Sequence, residues 1–473
     1  MLLAVVLATS LGACDSSSSS SSPPPLVTGD PPTTRLPTIV DTDVDVSDVA
    51  ALAVLLRDPR VDIRAVTIVP TGTGVTNCAA GRRIVQYVLE EFGATTIPIG
   101  CGREDRGQDG KIFPAEWRLN ANEGWGLVMP PRPQTELPED AVTLLTRTVD
   151  ESPSAPTVVA LGPWTNLEEL VTLDPTIGDR IAAIHAMAGA VDVPGNVIVG
   201  DVTAEDGLEW NLAADPSAVS AVFSTATPIS LVPLDATNDV PIPADLAERL
   251  AEDHEGAGAD LVYELLQRVP GRLTGDGQQL WDELAALTLS APDLVTWEDA
   301  NLLGDNAGRL TRHEAGRPVR IATAADRDAV EAALLDALRV GPARATPFDL
   351  AGEITVRWDG STCAFETNDL GPGVAALTFD NGTGDPAGVQ IAGVREPHSW
   401  EELVALLPTL DPETDQIPDW VIEAGTANDE TGAGGTISST ARLEAGTYGP
   451  VCVAGTWPDL TLRPGERFVI TAP

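Results

Sequence analysis

From residue 38 to about residue 340 the chain alternates apolar runs with amphipathic stretches. "AVTIVPTG" has the near-continuous apolar character of a strand buried on both faces. "AAGRRIVQYVLEEFG" follows with helical spacing, then "TTIPIGCG", and later "TVVALGP" leads into "NLEELVTL". Strand-like runs alternating with helices predict an α/β domain, with a mixed, mostly parallel sheet and helices on both faces. Ligands of such sheets gather at the carboxyl ends of the strands. From about residue 345 the pattern shortens to alternating strands with turn signals, as in "GEITVRWDGSTCAFE", "VAALTFDNGTGDPAGVQI" and "GTYGPVCVAG". Asp-Gly and Asn-Gly between alternating runs predict hairpins, so this half reads as an all-β sandwich. One helix interrupts it, "SWEELVALLPTL", opened by a capping box of Ser399 and Glu402.

A length of 473 residues agrees with two domains, because it exceeds what one hydrophobic core usually organises. The expected division is an α/β domain over 38–344 and a β-sandwich over 345–473. Residues 1–14, "MLLAVVLATSLGAC", form an apolar segment too short to span a bilayer, and Leu11-Gly12-Ala13-Cys14 resembles a bacterial lipobox. That resemblance implies cleavage before Cys14, lipidation of its sulfur, and an extracytoplasmic protein anchored to the cell membrane. Residues 15–37, rich in Ser and Pro, read as a tether with nothing to bury.

Setting Cys14 aside leaves Cys78, Cys101, Cys363 and Cys452, an even number for an oxidising compartment. Three pairings are possible. The most economical keeps each bridge within one half, Cys78 with Cys101 and Cys363 with Cys452. Net charge is -43, and Lys111 is the only lysine. Such a chain repels phosphate backbones, which argues against a nucleic-acid partner.

The densest chemistry lies in "TIVDTDVDVSDVAALAVLL", where Asp41, Asp43, Asp45 and Asp48 fall between an apolar strand and a helix. A calcium loop of the EF-hand type is excluded: counting from Asp41, Val46 and Leu52 occupy the positions that need Gly and Glu. Carboxylates projecting together from a strand end and a helix start instead suit a hard divalent cation. The plainer alternative is helix capping by Ser47 and Asp48.

Further segments choose between these readings. The aspartate-rich stretch is similar to the opening motif of the nucleoside hydrolase family, and the similarity continues through "VVALGPWTNLEELVTLDPTI", "AMAGAVDVPGNV", "LEWNLAADPSAVSAVF", "PLDATNDVPI", "LWDELAALTLSAPDLV" and "GRPVRIATAADRDAVEAALL". It spans roughly residues 38 to 340 in the family's order. The resemblance implies a Ca²⁺ held by the carboxylates of Asp43, Asp48 and Asp282 and by the main-chain carbonyl of Thr165. It implies Asp43 as acceptor of a proton from the attacking water, and Asn196, Glu209 and Asn211 as partners of the ribose hydroxyls. Breaking an N-glycosidic bond builds oxocarbenium character on the ribose, so an anionic, oxygen-rich pocket favours the transition state.

The chain also departs from the family pattern. Ser47 precedes Asp48 where the family has paired aspartates. Val44 and Asp45 replace a proline and a glycine, Thr71 and Gly72 stand where Gly-Asn is usual, and "NANEGWG" replaces a histidine-glycine stretch. Trp281 occupies the position of a histidine that protonates the leaving base in some members. None of His185, His254, His313 and His398 falls on a site motif. An indole cannot act as the acid, but it stacks on a heteroaromatic base, so Trp281, aided by Trp125 and Trp210, implies a weak preference for purine ribosides and slow turnover. The expected function is Ca²⁺-dependent hydrolysis of ribonucleosides, with Ser47, Asn196, Glu209, Trp210 and Asn211 facing the substrate. The alternative is a non-catalytic, calcium-containing riboside-binding or adhesion lipoprotein. The C-terminal half loosely resembles a cupredoxin-like sandwich, but with His398 alone and no methionine it is expected to be metal-free.

Overall fold

Ile39 and Val40 are adjacent on the first strand and both fully buried, yet they pack into two different apolar clusters. Val158 and Val159 divide in the same way. Side chains alternate across a strand, so both faces of this sheet are covered, which is why its central strands read as continuous apolar runs. The computed structural model describes residues 35–105, 110–127, 129, 138–251, 256–268, 278–340, 351–409, 418, 420–429, 434–455 and 461–471. Cys14, the lipobox-like segment, most of the expected tether and the expected boundary at 344 and 345 lie outside them.

Ten strands form the first sheet: β1 (Leu36–Thr42), β2 (Val61–Ile68), β3 (Ile99–Cys101), β4 (Glu139–Asp140), β5 (Thr157–Ala160), β6 (Ala183–Ala186), β7 (Ile229–Leu231), β8 (Val295–Gly304), β9 (Leu310–Arg312) and β10 (Arg317–Ala325). Their order is β4-β3-β2-β1-β5-β6-β7-β10-β8-β9. The run from β4 to β10 is parallel, and β8 and β9 add an antiparallel edge. The mixed, mostly parallel sheet expected from the alternation is therefore present. Strand order reverses at β1, with β2 on one side and β5 on the other, and such a switch point opens a crevice at the strands' carboxyl ends. β1 begins at Leu36, inside the segment read as tether, because Leu36 and Pro37 pair with Val61 and Asp62 of β2.

The later strands are β11 (Glu353–Trp358), β12 (Cys363–Asn368), β13 (Gly373–Asn381), β14 (Ala387–Val394), β15 (Val421–Asp429), β16 (Gly435–Leu443), β17 (Gly446–Ala454), β18 (Thr461–Pro464) and β19 (Phe468–Ile470). They form one sheet in the order β12-β11-β13-β16 and another in the order β15-β14-β17-β18, with β19 also paired to β17. The Asp359-Gly360 hairpin expected between β11 and β12 is present, its turn held by the Asp359 carboxylate accepting from the main-chain N–H of Ser361 and Thr362. The hairpin expected at Asn381-Gly382 is not. β13 pairs with β11 and β16, β14 pairs with β15 and β17, and the turn carries the chain from one sheet to the other. Both strands supply buried side chains to one shared core, Leu377 and Phe379 from β13 and Val389 and Ile391 from β14. The helix Trp400–Leu406 opens with the expected capping box of Ser399 and Glu402. Disulfides join Cys78 to Cys101 and Cys363 to Cys452, the second linking β12 of one sheet to β17 of the other.

Candidate active site

β1 ends at Thr42 and the helix Val46–Arg57 begins four residues later, so the three residues between must turn sharply. Val44 does this at φ 62°, a left-handed conformation unusual for a β-branched residue. The consequence is that Asp43 and Asp48 converge. The Asp48 carboxylate accepts from the main-chain N–H of Asp43 at 3.2 Å and from the Thr42 hydroxyl. Asp45 caps the helix through the N–H of Val46. The cap is thus Asp45 and not the expected Ser47 and Asp48, which lie inside the helix, while Asp48 takes part in the convergence of carboxylates.

Asp43 is 1% exposed and enclosed by glycine backbone. A Cβ on Gly72 would come within 1.8 Å of Asp43 Oδ2, and one on Gly162 within 2.9 Å of its main-chain nitrogen. The absence of a side chain at Gly72 is thus a packing requirement of the site as it is built here. Thr73 donates its main-chain N–H to Asp43 Oδ2 at 2.6 Å, and its hydroxyl goes to Asp45 Oδ2 at 2.6 Å. Arg118, itself buried, donates to the carbonyls of Pro70, Gly74 and Val75 and places a positive charge near Asp43.

Eight of the ten predicted site residues line one cavity of about 320 Å³: Ser47, Asp48, Asn196, Glu209, Trp210, Asn211, Trp281 and Asp282. Asp43 and Thr165 are not among its lining residues. Thr165 starts the helix Thr165–Leu173, and its hydroxyl donates to Asp215 at 2.8 Å, a carboxylate also held by Arg103 at 2.7 Å. Glu209 caps the helix Trp210–Ala214, accepting from the N–H of Asn211, Leu212 and Gly189. Both amide hydrogens of Asn211 are spent on the carbonyls of Leu161 and Met187, which leaves its Oδ1 as an acceptor. Asn196 Oδ1 accepts from the N–H of Trp210, which leaves its amide hydrogens as donors.

Burial pushes the carboxyls of Asp43, Asp48 and Asp282 up, and repulsion pushes two of them further, Asp48 through Asp43 and Asp282, and Asp282 through Glu283 and Asp43. Burial lifts Asp45 to about 6 and Glu209 to about 7. Among the described residues, no group of three or more Asp, Glu, His or Cys side chains is arranged to hold a metal ion. The chemistry of the donors still suits a hard cation: three buried carboxyls that repel one another, with Asp282 Oδ1 buried and without a protein hydrogen-bond partner.

One wall of the cavity is aromatic beyond what the sequence reading contained. Phe113, just before the helix Ala115–Asn122, and Trp117, in its first turn, line it together with Trp210 and Trp281. Phe113 meets Trp210 edge to face at 4.7 Å and Trp117 at 5.9 Å. Trp125, expected to add aromatic surface, instead lies 4.9 Å from Trp117 in the core, 2% exposed, and does not line the cavity. The missed signal was "FPAEW", two aromatic residues four positions apart on either side of a proline. No histidine lines the cavity among the described residues, and His185 is buried against the Ala285 carbonyl.

Comparison with known proteins agrees with this geometry. The model of the inosine-uridine preferring nucleoside hydrolase family matches residues 38–332, more than half of the chain. A probable uridine nucleosidase 2 of Arabidopsis thaliana is 30% identical over 271 residues, 56% of this chain and 80% of that protein. The pyrimidine-specific ribonucleoside hydrolase RihA of Citrobacter koseri is 30% identical over 221 residues, 45% of this chain and 65% of that protein. A crystal structure of an inosine-uridine preferring nucleoside hydrolase from Bacillus anthracis superposes with a TM-score of 0.54 at 25% identity, covering 64% of this chain and 99% of that one. Fold and matches together define a hydrolase acting on ribonucleosides. The chain belongs to the inosine-uridine preferring nucleoside hydrolase family.

Proposed function

We propose that this chain cleaves the N-glycosidic bond of ribonucleosides to give ribose and free base, that it does so with Ca²⁺, and that it works outside the cytoplasm on a lipid anchor at Cys14. The observation that carries the reading is one cavity with buried carboxylates on one side, amide and carboxylate groups suited to sugar hydroxyls on another, and an aromatic wall for the base.

Asp43, Asp48, Asp282 and the Thr165 carbonyl are the groups that would hold the cation, which when bound orients the water and the sugar diol and lowers the water's pKa. Asp43 accepts the proton of the attacking water. Asn211, as an acceptor, and Asn196, as a donor, fix the ribose hydroxyls between them, with Glu209 as a second acceptor. The surrounding negative charge favours the oxocarbenium character that grows on the ribose as the bond breaks. Trp281 stacks on the departing base beside Phe113, Trp117 and Trp210. A bicyclic base gains more from that wall than a monocyclic one, and on this ground we assign a weak preference for purine ribosides. The two relatives above carry uridine and pyrimidine in their names, so the base is a point on which this chain is proposed to differ from them.

A second reading, a calcium-containing riboside-binding or adhesion lipoprotein without efficient chemistry, draws on the tryptophan at the acid position and on Ser47 where the family has an aspartate. Release of reducing sugar from a panel of nucleosides separates the two: turnover supports the hydrolase, and tight binding without turnover supports the binding protein.

A further inference from the structure

Ser47 stands where the family carries the first of two aspartates, and it meets a carboxylate from far along the chain. Its hydroxyl donates to Glu283 Oε2 at 2.8 Å, across 236 residues of sequence, and accepts from the main-chain N–H of Asp282 at 3.1 Å. A serine hydroxyl has one hydrogen and two acceptor positions. The hydrogen is spent on Glu283 and one acceptor position on Asp282. What Ser47 has left for the cavity it lines is a single acceptor position.

Glu283 itself is buried and does not line that cavity. It lies on the helix Trp281–Thr288 and faces the helix Val46–Arg57 among apolar side chains that include Val46, Ala50 and Leu280, with the carboxyls of Asp282 and Asp45 close enough to be felt. A buried polar group in such surroundings is stabilised by a hydrogen-bond partner, and the side-chain partner of Glu283 is Ser47. We propose that Glu283 is a positioning residue that holds Ser47 as an acceptor only, so that the pair restores the acceptor character of the missing aspartate and selects substrates bearing a sugar hydroxyl that can donate there. The inference rests on the nucleoside hydrolase reading and deepens it. Without Glu283 the hydroxyl hydrogen is free to rotate toward the cavity, and Ser47 no longer discriminates between a donor and an acceptor on the sugar.

The test compares inosine with its 2′-deoxy and 3′-deoxy analogues on the full chain and on the variants Ser47→Ala, Glu283→Ala, Glu283→Gln and the Ser47→Ala/Glu283→Ala double. Loss of one hydrogen bond predicts a fall of about tenfold in kcat/KM for inosine in each alanine variant. The analogue lacking the hydroxyl read by Ser47 changes by less than about twofold. Because Glu283 acts through Ser47, the double variant is no worse than Ser47→Ala alone. Glu283→Gln keeps the shape and an acceptor oxygen and stays close to the unsubstituted protein, which guards against misreading a folding defect. Equal losses on all three nucleosides, or a further loss when Glu283→Ala is added to Ser47→Ala, overturn the proposal. If the unsubstituted chain turns over no nucleoside, the hydrolase reading fails. Calorimetric binding of the same three nucleosides to the same variants then decides this inference, and absence of any binding overturns it as well.

Discussion

The indole N–H of Trp117 lies 3.1 Å from both carboxylate oxygens of Asp45, tying the aromatic wall of the cavity to its acidic floor. Asp45 also receives the Thr73 hydroxyl, so one side chain fixes a tryptophan from one element and a loop from another. An amide oxygen in the Oδ2 position still accepts from Trp117 and Thr73, with loss of the capping contact that Oδ1 makes to the Val46 N–H. Asp45→Asn is therefore expected to keep kcat/KM within about threefold, the scale of a weakened hydrogen bond. Trp117→Ala, which removes the ring, is expected to raise KM several-fold with a smaller effect on kcat. Steady-state kinetics on the two variants checks this, and an Asp45→Asn variant as impaired as one at Asp43 contradicts it.

Stability carries the signature of the buried acids. Burial lifts Glu209 to about 7 against the hydrogen bonds of three main-chain N–H groups, and lifts Asp41 to about 7 against those of Thr67 and Asn166. Both carboxyls hold a proton more tightly when folded than when unfolded. The associated stability is full below the ordinary carboxylate range and is lost as pH rises toward about 7, on the order of 3 kcal/mol for each group. In the presence of a chelator the melting temperature is expected to fall between about pH 5 and about pH 8, with a shallower fall in Glu209→Gln. A melting temperature that rises over that interval refutes the assignment.

Base preference is expected to follow Trp281. Its indole lines the cavity next to Asp282, and its N–H is buried without a protein partner. Trp281→Leu removes the stacking surface and should lower the rate on inosine more than on uridine, by several-fold. Equal or faster turnover of uridine by the unsubstituted protein, or full inosine activity in the leucine variant, argues against stacking by Trp281.

Anchoring is a separate expectation, drawn from Cys14 at the end of the lipobox-like run. The mature protein should partition with membranes, and a Cys14→Ser form should be released by salt and carbonate washing. A serine form that stays in the membrane fraction removes the lipid from the account.

The α/β architecture was legible in the sequence because buried parallel strands and amphipathic helices write different periods, and the run from Thr38 to Leu56 carried the motif on contiguous residues. The Asn381-Gly382 turn was misread because turn chemistry is local, whereas the sheet a strand joins depends on which face buries Phe379 and Ile391. Glu283 was invisible for a related reason. Its meaning comes from Ser47 on another helix, and no spacing rule links positions so far apart. Phe113 and Trp117 were legible in principle, as an aromatic pair four positions apart, but nothing local distinguishes a cavity wall from a core contact. Trp125, eight residues further on, is that core contact.

The central claim is that one carboxylate, Asp43, serves both the metal and the water, and it is tested most directly by pairing one assay with one titration. Reducing-sugar release from a nucleoside panel is measured on the unsubstituted chain and on Asp43→Ala, with and without chelation, alongside calorimetric titration of Ca²⁺ into both. The account predicts sugar release that chelation abolishes and calcium restores, and loss of both turnover and calcium affinity in Asp43→Ala. Unchanged calcium affinity in that variant, or nucleoside turnover indifferent to chelation, contradicts it.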